Sequence, residues 1–190
     1  MTKTELHAVI QKRLPILKMT IKASVHDRII DMSQGFPPYT HLLCHTAFRS
    51  AVRRRDLEVN DFDLQKAIVK SVEMAEESVK DAYFKAIRST KPNHQYKEAL
   101  VAFAMTKTNE KGYFRAKDVK EPFSRIAGKP MDIPNYARHL QEFQDKERGP
   151  VLLREGKPKS YEYRFADPLL RPLAILAGIN DGLIQASDLS

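Results

Sequence analysis

The stretch Asp132–Phe165, DIPNYARHLQEFQDKERGPVLLREGKPKSYEYRF, decides the predicted fold of the second half of the chain. It opens with a helix start, because the Asp132 side chain can cap a first turn and Pro134 loses no hydrogen bond there. The spacing that follows is helical. The side chains expected to face inward are Ile133, Ala137, Leu140 and Phe143. We therefore predict an amphipathic helix at this point.

The rest of the stretch has the pattern of a β-hairpin. Val151–Arg154 is predicted as one strand, and Glu155–Lys159, which contains Gly-Lys-Pro, as the turn. Tyr161–Phe165 is predicted as the second strand, because its aromatic residues alternate with Glu162 and Arg164. Such alternation is typical of a strand with one buried face, so we interpret these aromatic residues as core residues first.

The segments before this stretch extend the pattern. Tyr96–Met105 is predicted as a helix, Lys111–Phe114 as a turn into a short strand, and Ala116–Ala127 as a helix that Gly128 closes. The predicted order is helix, short strand, helix, turn, helix, hairpin, which is the order of a winged helix-turn-helix. We predict a mainly α fold. Residues 92–178 are expected to form a winged helix-turn-helix domain with a small β-hairpin wing, and residues 179–190 a flexible tail.

Residues 1–91 are predicted to form a bundle of helices. Thr2 and Glu5 have the spacing of a capping box at the start of the first helix. A second helix is expected to start near Ser24, whose hydroxyl can cap the first turn, and to stop at Gly35 in a left-handed conformation.

Two more helices complete the predicted bundle. The third begins with Pro37–Pro38 and ends at Arg53–Arg55, where the helix dipole favours cations. Asn60 is expected to cap the fourth, which the apolar spacing predicts as one long helix reaching Arg88. The run Ser89–Asn93 follows it, and its breaker residues mark the predicted domain boundary.

Composition restricts the class of protein. The 190 residues carry a formal net charge of +8 at neutral pH, which favours an anionic partner. Cys44 is the only cysteine, so an internal disulfide framework is excluded. The apolar runs are far too short to span a bilayer, and the N-terminal residues lack the apolar core of a signal peptide. We expect a cytoplasmic protein.

Two segments of the first half resemble a known family. Ile29–Leu43, IIDMSQGFPPYTHLL, resembles the second-sensor segment in the helical lid of AAA+ ATPases, and Leu57–Asp63 resembles the segment that enters the last lid helix. A lid followed by a winged helix resembles the C-terminal part of origin-recognition-type initiators and of related bacterial AAA+ ATPases. The residues of the sensor-2-like segment are Gly35, Pro37, Pro38 and Tyr39. The family's sensor arginine is replaced here by one of the last three, so this segment departs from the family's pattern at the residue that contacts a nucleotide phosphate.

The nucleotide-binding core of that family is not in this sequence. A phosphate-binding loop needs G-x-x-x-x-G-K-[ST], whereas Gly128-Lys129 and Gly156-Lys157 are each followed by proline. We therefore predict no enzymatic activity and no cofactor for this chain. The resemblance implies that a parent ATPase would hold ATP and Mg²⁺ in a core attached to it. A naturally short protein is the alternative.

The expected partner is double-stranded DNA. In a winged helix the third helix enters the major groove, and its outward residues near the N-terminus meet the bases. The expected contacts comprise the turn before that helix, the helix itself and the hairpin tip: Lys129, Asn135, Arg138, His139, Arg154, Lys157 and Lys159. The alternative is a protein-interaction or dimerisation module, in which the same charges face water or another protein chain.

One further constellation raises the question of a metal. His41 and His45 are four residues apart on a predicted helix, beside Cys44, and such a pair can chelate one ion. A third and a fourth ligand are not evident, and a free cysteine commonly packs as a small apolar side chain. The sequence therefore favours packing here and predicts no metal site.

Overall fold

The computed structural model describes residues 1–90, 94–158 and 160–189. Within these ranges the chain is mainly helical and divides into two compact units, residues 1–75 with 179–190, and residues 76–178. The predicted boundary at residue 91 therefore differs from the observed division at residue 75. The segment 179–190, expected to be a flexible tail, includes a 3-10 turn at Ala186–Leu189 that packs against the first unit.

The first unit is a helical bundle with a small parallel sheet. Its elements are α1 (Lys3–Gln11), α2 (Leu14–Leu17), β1 (Thr20–Ile21), α3 (Ala23–Ser33), α4 (Pro37–Arg53), β2 (Glu58–Val59) and α5 (Asp61–Met74). The long helix α4 packs against α3 and α5. Strands β1 and β2 pair in parallel, with Thr20 opposite Glu58 and Ile21 opposite Val59.

Two helix starts in this unit are set by local capping. Thr2 and Glu5 form the predicted capping box, and Asn60 forms another with Asp63. The predicted cap at Ser24 is wrong, because α3 starts one residue earlier and Lys22 precedes it without a side-chain cap. The Lys22 N–H donates to the Val59 carbonyl at 3.0 Å, so the pairing of β1 with β2 positions this helix start.

The long fourth helix of the prediction is two helices. The chain leaves α5 at Ala75 (ψ 152°) and Glu76 (ψ 135°), and a new helix starts at Glu77. The Glu76 carbonyl accepts the first N–H groups of that helix, from Val79 and Lys80. Apolar residues keep their helical spacing across the break, since Ala75 and Val79 are both buried. The periodicity therefore conceals the point where the chain leaves one compact unit for the other.

The second unit contains helices and a three-stranded antiparallel sheet. Its elements are α6 (Glu77–Ile87), α7 (Tyr96–Met105), β3 (Phe114–Arg115), a 3-10 turn (Ala116–Val119), α8 (Lys120–Ala127), α9 (Ile133–Glu142), β4 (Leu152–Glu155), β5 (Glu162–Phe165) and α10 (Leu170–Asn180), whose last two residues group with the first unit. The strand order is β3-β5-β4. Phe114 lies opposite Tyr163, and Leu152 lies opposite Phe165.

An aromatic core holds this unit together. The rings of Phe103 and Phe143 meet edge to face at 5.7 Å, and those of Phe123 and Tyr136 at 5.6 Å. Helix α10 is buried along most of its length. Gly128 closes α8 with φ +66°, a conformation that glycine adopts without steric cost.

Candidate nucleic-acid interface

Helix α9 buries a different face from the predicted one. Tyr136, Leu140 and Phe143 are buried, whereas Ile133 is 44% exposed and Ala137 is also exposed. The inward assignment of Ile133 and Ala137 was therefore wrong. The hydroxyl of Tyr136 donates to the Ala116 carbonyl at 2.8 Å, so this large side chain can be buried with its polar atom satisfied. Burying the tyrosine ring turns Ile133 toward solvent.

Asn135 does not present a free amide on this helix. Its Oδ1 accepts the backbone N–H of Asp132 at 2.8 Å, which closes a capping box at the start of α9. An amide used in this way is not available to read adenine with both of its polar atoms. The Asp-x-x-Asn spacing was the sequence signal for this role.

Arg138 lies on the exposed side of α9 but carries a partner. Its Nε donates to Oε1 of Glu142 at 2.7 Å, and that hydrogen bond raises the pKa of the guanidinium. Glu142 also accepts the hydroxyl of Tyr96 at 2.6 Å. Burial alone would raise the pKa of Glu142, but these hydrogen bonds outweigh it and hold the pKa below its usual range. The positive charge of Arg138 is thus largely balanced within the helix.

His139 is a packing residue, contrary to its predicted outward position. Its ring meets Tyr96 edge to face at 5.2 Å and lies near Phe123. Burial lowers the pKa of the imidazole, and its Nδ1 has no hydrogen-bond partner among the described residues. A neutral, half-buried imidazole of this kind adds no charge to the surface of α9.

The hairpin tip and the turn before α9 carry the exposed cations. Arg154 lies over the ring of Tyr161, with 4.3 Å from its guanidinium carbon to the ring centroid. Lys157 and Lys129 are exposed, and neither forms an ion pair within the part of the chain that the structure describes. The predicted contact Lys159 lies outside the described residues.

A tight turn presents these hairpin cations. Gly156 has φ +96°, and a Cβ placed there would lie 2.8 Å from the Ser160 carbonyl oxygen. The ring of Tyr161 holds Arg154 on the outer surface of the hairpin, a contact that the alternation pattern does not predict. The predicted DNA contacts therefore fall into two groups. Those on the turns and the hairpin are exposed cations, whereas those on α9 contact other residues of the chain.

The sensor-2-like segment has the backbone that its sequence predicted. Gly35 has φ +83°, and Pro37 and Pro38 occupy the first turn of α4. The N-terminal ammonium of Met1 donates to the Gly35 carbonyl at 2.8 Å. Tyr39 is buried at 5% exposure, so it is a core residue.

The helix that carries His41 and His45 borders an apolar depression of about 360 Å³. Cys44 lies between them and lines it together with Leu17 and Phe48. Burial raises the pKa of the Cys44 thiol to about 12, so the side chain remains a neutral thiol at physiological pH. Within the described ranges, neither histidine belongs to a group of three metal-ligating side chains.

No family model matches the chain, and no curated protein matches it. A solved structure, Cdc6p from Pyrobaculum aerophilum, is similar to it with 12% sequence identity, 95% of this chain covered, and a TM-score of 0.34. The chain spans 48% of the length of that structure. Within the described residues, no helix combines the length and apolarity needed to cross a bilayer.

Proposed function

We propose that the second unit contains a winged helix that binds double-stranded DNA, and that the first unit is the helical lid of an AAA+ ATPase. The observation that carries the DNA proposal is the hairpin β4–β5, with β3 paired to its second strand and exposed Arg154 and Lys157 at its tip. Helices α8 and α9 precede this hairpin in the order that a winged helix-turn-helix requires.

Phosphate contact dominates this binding. Asn135 is engaged in a cap, His139 packs inside, and Arg138 is balanced by Glu142. The exposed cations Lys129, Arg154 and Lys157 can still contact phosphates, which carry no sequence information. We therefore expect DNA binding with weak sequence preference and a strong dependence on salt.

The lid proposal rests on the resemblance of Ile29–Leu43 and on the turn that this segment forms. ATP and Mg²⁺ would be held by a core that these residues do not contain. A nucleotide-driven movement of the lid would change the DNA affinity of the second unit through the segment that connects α5 to α6. Because the chain is extended at Ala75–Glu76, this connection is not one continuous helix.

A second candidate function is protein docking through α9. Its exposed surface includes Ile133, Pro134 and Ala137 around the single cation Arg138. Apolar residues exposed together are a feature of interaction surfaces. In this alternative, another protein or a second copy of the chain covers α9, and DNA plays no part.

Fluorescence anisotropy with a short labelled duplex tests the DNA proposal. We expect the affinity to fall steeply between about 50 and 200 mM salt. Reversing both hairpin charges, Arg154→Glu with Lys157→Glu, should weaken binding roughly tenfold or more and lower the salt slope by about two. Removing two phosphate contacts is the reason for both effects.

The control is an equal charge reversal on the first unit, Arg53→Glu with Lys66→Glu, at two exposed cations of α4 and α5. It should leave most of the affinity intact. Equal losses in both double variants, or no measurable binding by the unaltered chain, would contradict the DNA proposal. A dimer whose gel-filtration volume does not change on adding duplex would support docking instead.

A further inference from the structure

Three metal-ligating side chains meet on one side of the first unit. His7 lies on α1, and His26 and Asp27 lie on α3. Their potential ligand atoms are all within 4.8 Å of one another. This group joins two helices that are separate in sequence, so no spacing rule for metal motifs would have found it.

The distances suit a small transition-metal ion. Nε2 of His7 lies 3.8 Å from Oδ1 of Asp27, and Nδ1 of His26 lies 3.4 Å from the same atom. Two ligands held about 2.1 Å from one tetrahedral zinc ion are about 3.4 Å apart. Small rotations of the side chains would complete that geometry. The side chains of His7 and Asp27 are 43% and 63% exposed, which leaves them room to rotate.

His26 supplies the fixed point of the group. Its side chain is 5% exposed, and its ring lies 4.4 Å from the ring of His7, centroid to centroid. Burial lowers the pKa of His26, while its contact with Asp27 opposes that effect. The buried ring of His26 therefore holds its Nδ1 in place, while the more exposed side chains of His7 and Asp27 can rotate toward a shared ion.

The group also has access to solvent. It borders a surface depression of about 590 Å³, whose other lining residues include Gln11 and Thr20. Three protein ligands with a position open to water are typical of zinc sites that are not closed structural clusters. The donor set of two imidazoles and a carboxylate suits Zn²⁺ or Co²⁺ better than Mg²⁺ or Ca²⁺, which prefer oxygen ligands.

We propose that His7, His26 and Asp27 form a binding site for a divalent transition-metal ion of the zinc class, which links α1 to α3. The Nε2 atom of His26 is buried without a hydrogen-bond partner among the described residues. When the metal binds Nδ1, Nε2 carries the proton of the imidazole and has no acceptor for it. Such an acceptor normally strengthens metal binding, so we expect a modest affinity, lower than the affinity of a closed zinc cluster. The site is independent of DNA binding by the second unit.

Metal titration of the full chain tests this proposal. Zn²⁺, followed by calorimetry, should bind with a stoichiometry of one and raise the thermal midpoint, because the metal binds only the folded arrangement. Co²⁺ should give the visible absorption of a tetrahedral ion with nitrogen and oxygen ligands. The variants His7→Gln and Asp27→Asn should each weaken binding roughly tenfold or more. Both changes are at partly exposed positions, so the variants should still fold.

Two control variants are His41→Gln and His45→Gln, at exposed histidines of α4 that lie outside the group. They should leave the affinity for Zn²⁺ unchanged. Three results would overturn the proposal. The first is Zn²⁺ binding that depends on His41 or His45, and the second is no binding to the full chain. The third is binding that stays unchanged in the His7→Gln variant or in the Asp27→Asn variant. Far-UV circular dichroism of every variant separates loss of a ligand from loss of fold.

Discussion

The Asp63→Ala variant is expected to lose about 2–4 kcal/mol of the free energy of unfolding, because the change removes a buried carboxylate that accepts charge-assisted hydrogen bonds. The Asp63 side chain is 0% exposed. It accepts two hydrogen bonds from Arg54, at 2.6 Å from Nη2 and 3.0 Å from Nε, and the backbone N–H of Asn60 at 3.0 Å. Alanine would remove the paired carboxylate, the fork-shaped contact and the cap on α5 together.

Urea denaturation followed by far-UV circular dichroism measures this loss. The matched control is Asp61→Ala two residues earlier, where the carboxylate is 53% exposed and pairs with Arg28 at 2.9 Å. An exposed ion pair contributes at most about 1 kcal/mol, so the control should be nearly as stable as the unaltered chain. Equal losses at the two positions would contradict a special role for the buried carboxylate.

The carboxyl group of Asp63 should also make the free energy of unfolding depend on pH. Burial by itself would raise the pKa of this carboxyl, but the hydrogen bonds from Arg54, Asn60 and Ser50 outweigh it and lower the pKa. A carboxyl whose folded pKa lies below its unfolded value, about 3.9, stabilises the fold above that pH. The stabilisation is lost as the pH falls through the folded pKa. The stability gap between the unaltered chain and Asp63→Asn should therefore be full at neutral pH and shrink in acid.

The second large effect is expected for Arg171→Met. This variant should lose about 3 kcal/mol or more of the free energy of unfolding. The guanidinium is partly buried between the last residues of α7 and the segment after it. It donates to the carbonyls of Ala104 at 2.8 Å and Thr106 at 2.9 Å, and to the hydroxyl of Thr108 at 3.1 Å. Burial lowers its pKa to about 10, so it remains charged at neutral pH. Methionine fills similar space but leaves these three acceptors without their donor.

Hydrogen exchange at the amides of α7 and α10, together with the urea midpoint, measures the effect. Arg125→Met serves as the control, since that side chain is 44% exposed and pairs with Glu121 on the surface of the same unit. It should change the free energy of unfolding by less than about 1 kcal/mol. Unchanged exchange in α7 of Arg171→Met would show that the network does not hold this helix end.

Local chemistry allowed many element starts and ends to be predicted. The capping boxes at Thr2 and Asn60, the proline start of α4 and the glycine end of α8 all act within a few residues. The helix Tyr96–Met105 has the predicted bounds, because its apolar run is long enough to decide between helix and strand. Strand β5 followed from the alternation of its aromatic residues, and the predicted strand Val151–Arg154 lies one residue before the observed β4.

Non-local partners explain what was missed. The strand β1 pairs with residues 38 positions later in the sequence, and no local pattern in two residues predicts such a pairing. The break at Ala75–Glu76 was hidden because apolar spacing persists through it. The rotation of α9 depended on an acceptor for the Tyr136 hydroxyl at Ala116, twenty positions away.

By itself, the sequence determined that the chain is mainly helical, where several of its helices begin, and that a basic hairpin follows three short helices, because caps, turns and periodicity act over a few residues. Only the tertiary structure decided which charged and polar side chains are available to a partner. Arg138, Asn135 and His139 look alike in sequence as candidate contacts, yet each is engaged by a different neighbour. The same holds for His7, His26 and Asp27, which become one group only when α1 packs on α3. Ion pairing and burial depend on residues that the fold brings together across the chain, so they cannot be read from any single segment.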